Sequence, residues 1–157
     1  MIRRLWNEDS VTHHGKHFKV GGLGASIKPK RAGGPPIWVG GDVIAAVKRA
    51  AKLNCPWIAP PTMTFQEITE RVEVYKKTSA EISGRSVNEQ PIIREVAIGK
   101  TKAEALRAAR PALLSKYESY ASWGQTATKE QVSLSDTFDE FIKDRFIIGD
   151  EFEVADE

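Results

Sequence analysis

The sequence predicts an α/β fold on a parallel sheet, with about three strands, crossover helices and a hairpin at the N-terminal side. Two observations predict it. Short apolar runs at Ile37-Trp38-Val39 and Trp57-Ile58-Ala59, and a third strand-like stretch at Ile92–Ile98, each stop at Gly or Pro. Strands buried on both faces of a sheet read this way. Each run is followed by a stretch with apolar residues at helical spacing, and strand–helix alternation is the signature of parallel strands joined by right-handed crossovers.

The elements follow in order. Ile2–Trp6 reads as the last turn of a helix. Two β-prone stretches flank Gly15 between Ser10 and Val20, which makes a hairpin. Residues 21–36 are rich in Gly, Pro, Lys and Arg and read as a surface excursion ending at Pro35-Pro36. Residues 37–123 hold the three βα units. After Ile37-Trp38-Val39 and Gly40-Gly41, a helix is predicted over Asp42–Leu53, with Asp42 as N-cap and Asn54 in a left-handed ending. Thr64 and Glu67 form a capping box for a helix whose stripe is Phe65, Ile68, Val72, Tyr75 and Ile82, ended by Gly84. Thr101 and Glu104 form another for the helix marked by Leu106, Ala109, Leu113, Tyr117 and Tyr120, which Pro111 should kink or divide. Residues 124–157 comprise a loose polar loop to Ser133, a short helix from Ser135, the run Phe146-Ile147-Ile148-Gly149, and a helix start capped by Asp150 with Glu153. Trp38, Trp57, Phe65 and Tyr75 are expected to fill the space between strands and helices.

Bulk properties exclude several function classes. A net charge of +2, from 23 basic and 21 acidic residues, gives no electrostatic case for nucleic acid or an anionic membrane. No apolar run approaches the ~20 residues of a membrane span. The lone Cys55 cannot form an internal disulfide, which points to a reducing cytoplasmic setting. His13, His14 and His17 sit on the hairpin without a cysteine or carboxylate cluster to complete a metal set, and read as solvated hairpin residues. No nucleophile elbow, P-loop or dinucleotide fingerprint follows a strand.

At 157 residues the chain falls short of the ~250 residues of a whole (β/α)₈ barrel. The helix begun by Asp150 has few residues before Glu157, and three strands leave two open edges. The chain is therefore expected to be part of a larger fold; the other reading is a small α/β domain with frayed ends.

Arg3-Arg4-Leu5-Trp6 leading into Val11-Thr12-His13-His14-Gly15-Lys16-His17-Phe18 resembles a stretch of the luciferase-like monooxygenase family. So do Lys28-Pro29 and Pro35-Pro36-Ile37-Trp38-Val39-Gly40-Gly41, the helix ending Arg49-Ala50-Ala51-Lys52-Leu53, the strand with Trp57, and Asp144-Arg145-Phe146-Ile147-Ile148-Gly149 with Glu153-Val154-Ala155. The resemblance spans nearly the whole chain outside Gly124–Ser133. It implies a partial (β/α)₈ TIM barrel in which the fifth to seventh strands are present, with the first four and the eighth lying outside. It also implies an oxidoreductase or monooxygenase that uses FMN with oxygen, or the deazaflavin F420, on a small organic substrate. Most groups that hold the ring and substrate lie on the earlier strands of the family, so activity would depend on a missing barrel half or a homo-oligomer.

Gly40-Gly41, at the carboxyl end of a strand and before a helix, is suited to a phosphate, because glycine lets the backbone come close and the helix start offers free N–H groups. In the family this turn contacts the cofactor phosphate. It reads equally as a plain β–α turn that uses Gly for its geometry. Asp42 departs from the small or hydroxyl residue usual in the family and would repel a phosphate unless it caps the helix. Asn54-Cys55-Pro56 replaces the family's Asp-Gly. Arg145 is a candidate phosphate partner by resemblance and a surface residue otherwise. The candidate cofactor residues are thus Gly40, Gly41, Asp42 and Arg145. The alternatives to an oxidoreductase part are a stand-alone α/β module that binds phosphate ligands and an inactive fragment.

Overall fold

The computed structural model describes residues 1–83, 89–124 and 134–156. The expected helix stop at Gly84 and the polar loop beyond Gly124 lie outside the described residues.

Contacts divide the chain into two compact units, Met1–Ile37 and Trp38–Glu157. In the first, helix α1 (Ile2–Asn7) precedes the antiparallel strands β1 (Val11–His14) and β2 (Lys19–Leu23). The hairpin forms where it is expected, closed by the Gly15 N–H donating to the Phe18 carbonyl at 2.9 Å. It extends further than the sequence suggests: Val11 pairs with Leu23, and a bulge between Val11 and His13 absorbs the extra residue. Arg4 grips Glu8 through two hydrogen bonds of 2.7 and 2.8 Å and donates a third to the Thr12 carbonyl. One guanidinium therefore ties α1 to β1.

In the second unit, β3 (Val39–Gly40), α2 (Ile44–Lys52), β4 (Trp57–Ile58), α3 (Phe65–Ser83), β5 (Val96–Ile98) and α4 (Lys102–Ser122) are the three βα units expected. Then come α5 (Leu134–Ile142), a further strand β6 (Ile147–Gly149) and α6 (Glu151–Ala155). β3 pairs in parallel with β4, and β5 with β6. Ala59 bridges to Ile92 in parallel, with Ala59 N–H donating to the Pro91 carbonyl and Ile93 N–H to the Ala59 carbonyl. The parallel strands thus follow one another in chain order, as in part of a (β/α)₈ barrel. β6 adds a fourth parallel strand to the three expected, on the short apolar run Ile147-Ile148-Gly149.

Both capping boxes expected at Thr64 and Asp150 are present. Thr64 N–H donates to the Glu67 carboxylate at 2.7 Å and Glu67 N–H donates back to the Thr64 hydroxyl. Asp150 and Glu153 exchange the same bonds at α6. Thr101 accepts from Glu104 N–H at α4. Asn54 ends α2 in the left-handed region, at φ 49°.

Four expectations need correction. α4 is not divided at Pro111 but continues through it; the proline is exposed. Asp42 does not cap α2: the helix starts at Ile44, so Asp42 stands one residue too early, and Val43 holds the N-cap position without a side-chain bond. The Ile92–Ile98 strand is interrupted: Ile92 makes an isolated bridge to Ala59 and β5 begins at Val96, with Arg94 donating to the Met63 carbonyl and Glu95 accepting from Lys116 and Tyr117 between them. Trp57 and Tyr75 are wholly buried as predicted, but Trp38 and Phe65 are exposed. Val39 packs on the cluster of Val47, Ala50, Trp57, Ala59 and Tyr75, while the neighbouring Trp38 is 55% exposed.

A second cluster, Tyr117, Leu134, Phe138 and Phe141, joins α4 to α5. Tyr117 meets Phe141 edge-on at 5.0 Å between centroids. Among the described residues no helix is long and apolar enough to cross a membrane.

Candidate functional site

The carboxyl end of β3 is shaped by its two glycines in different ways. A Cβ on Gly40 would meet only the Ile58 side chain, at an ordinary 3.6 Å, so the side-chain position of Gly40 is open. Gly41 has φ +134°, and a Cβ there would come within 2.6 Å of the Ala46 Cβ. Gly41 is therefore required by backbone conformation and by close approach to α2. Its carbonyl accepts from the Trp57 indole N–H at 2.7 Å. The Asp42 carbonyl accepts from Arg71 Nε at 3.3 Å. These two bonds turn the carbonyls of the β3–α2 connection toward β4 and α3. The start of α2 has no side-chain cap, and its Ala46 N–H donates to the Val43 carbonyl at 2.9 Å.

Arg71 is a residue that sequence reasoning missed. It lies beside the apolar stripe of α3, and nothing in its local pattern couples it to a turn 29 residues upstream.

Arg145 sits elsewhere. Its Nε donates to the Thr62 carbonyl at 2.8 Å and its Nη1 to the Phe141 carbonyl at 3.0 Å, with the guanidinium 5.1 Å above the Phe141 ring. Arg94 works beside it: Nη1 donates to the Met63 carbonyl at 2.9 Å and the guanidinium lies 4.5 Å over the Phe65 ring. Phe65 N–H donates to the Asp144 carbonyl. Together these bonds fasten the β4–α3 connection, in which Thr62 and Met63 are buried. Burial holds the Arg94 pKa below its ordinary value, and its Nε and Nη2 are buried without a hydrogen-bond partner. So Gly40, Gly41 and Asp42 are brought together as one turn, with Arg71 added, while Arg145 is engaged by Thr62 and Phe141.

A second feature of the strand ends is a cleft of about 400 Å³ lined by Ile98, Gly99, Lys100, Asp150, Glu151 and Phe152. It lies where β5 and β6 end, held together by Gly99 N–H donating to the Gly149 carbonyl at 3.1 Å. In (β/α)₈ barrels the carboxyl ends of the strands form the working face.

Comparison with known proteins matches this architecture. The family model described as luciferase-like monooxygenase matches residues 1–157. Among solved structures, the monooxygenase RslO1 from Streptomyces bottropensis is similar at 17% identity and TM-score 0.69, over 98% of this chain and 45% of that one. The oxygenating constituent of 3,6-diketocamphane monooxygenase from the CAM plasmid of Pseudomonas putida, a type II Baeyer–Villiger monooxygenase in complex with FMN, is similar at 17% identity and TM-score 0.68, over 99% and 48%. Apo-MsnO8 is similar at 21% identity and TM-score 0.53, over 85% and 43%. The chain spans less than half the length of these structures. With its partial barrel of parallel strands and a match over its whole length, the chain belongs to the luciferase-like monooxygenase family.

Proposed function

We propose that this chain forms part of a flavin-dependent oxidoreductase that acts on a small organic substrate, and that its Gly40-Gly41 turn holds the phosphate of an FMN-type cofactor. The observation that carries the reading is the uncapped start of α2 behind an open glycine at the end of a parallel strand. The side-chain position of Gly40 is open, and the N–H groups of the first turn of α2 have the chemistry a phosphate needs. Arg71 adds a cation from the far side of Asp42. When bound, the reduced flavin supplies the electrons that activate oxygen.

The residues of this chain bind and orient. Gly41 fixes the turn, and the Trp57 indole holds its carbonyl away from the phosphate side. Arg145 serves the same working face indirectly: by holding Thr62 it sets the connection that follows β4. Asp42 opposes the phosphate by charge, which sets a modest affinity. FMN is preferred to F420 in this reading because a structural relative is a complex with FMN. The buried single cysteine fits a reducing, cytoplasmic setting. Redox turnover requires the strands that this chain does not carry.

Fluorescence titrations with FMN and with F420 test the proposal. Saturable micromolar binding of FMN is expected, weakened at least tenfold by Gly40→Val, which fills the open side-chain position. Failure of both cofactors to bind, or binding indifferent to Gly40→Val, would sink it.

A further inference from the structure

We draw no further inference here: the strongest candidate, the guanidinium pair of Arg94 and Arg145 that holds the β4–α3 connection through the Met63 and Thr62 carbonyls, carries none, because the unpartnered Nε and Nη2 of Arg94 are closed off by the atoms around them and nothing in the structure shows a ligand they would hold.

Discussion

Gly41 and Gly40 are neighbours with different duties, and substitutions separate them. Gly41→Ala forces a side chain into φ +134° and against Ala46. It should cost about 1–3 kcal/mol of stability, as strained backbone positions do, read as a lower midpoint in urea unfolding. Gly40→Ala meets only the Ile58 side chain. Its stability should stay within about 0.5 kcal/mol of wild type, while phosphate binding weakens. If Gly40→Ala leaves binding untouched, the glycine serves the turn alone. Asp42→Ser removes a carboxylate that has no helix to cap. Two unit charges a few ångströms apart in water interact by about 1 kcal/mol, so FMN should bind roughly fivefold tighter to this variant at neutral pH. Unchanged or weaker binding would place the phosphate elsewhere.

At the scale of elements, α4 carries two testable features. Pro111 lacks the N–H that an undivided helix would use. Pro111→Ala should stabilise the chain by about 2 kcal/mol, the helix-interior cost of proline less the flexibility it removes from the unfolded chain; a lower melting temperature would contradict this. Below Pro111, Tyr117 donates its phenolic O–H to Glu95, and Lys116 donates to the same carboxylate oxygen. Burial, followed by the Glu95 charge, raises the Tyr117 pKa above its ordinary 10.0, and the Glu95 hydrogen bond raises that of Lys116 above 10.5. Both groups keep their protons more tightly in the folded state. Their stabilisation is complete below about pH 10 and is lost as pH rises beyond it. Unfolding free energy should therefore fall in alkali, and Tyr117→Phe should flatten that fall. An equally steep fall in the variant would assign it to other groups.

The elements that the sequence made legible were those with local chemistry. Thr64 with Glu67, Asp150 with Glu153, and Asn54 mark their helix ends through bonds made within a few residues, and each appears as read. Trp38 and Phe65 were misread because burial is a property of what lies opposite, which composition does not encode. Asp42 was misread by one position, since the backbone turn at Gly41 determines where α2 starts. The site itself was half legible. The Gly40-Gly41 turn announces itself by its residues, whereas the reach of Arg71 to Asp42 and of Arg145 to Thr62 arises only once distant segments meet.

At the scale of the molecule, the chain is a luciferase-like partial barrel with a glycine turn at the end of β3 and exposed apolar side chains at Trp38, Val96 and Ile98. The first feature is the one on which the proposed cofactor role rests. The most direct test of the central claim compares FMN with riboflavin, the same ring system without the phosphate, in parallel titrations of the full chain. A phosphate held by the α2 start predicts FMN binding at least tenfold tighter than riboflavin, with the preference lost in Gly40→Val. Equal affinity for the two flavins would contradict the account.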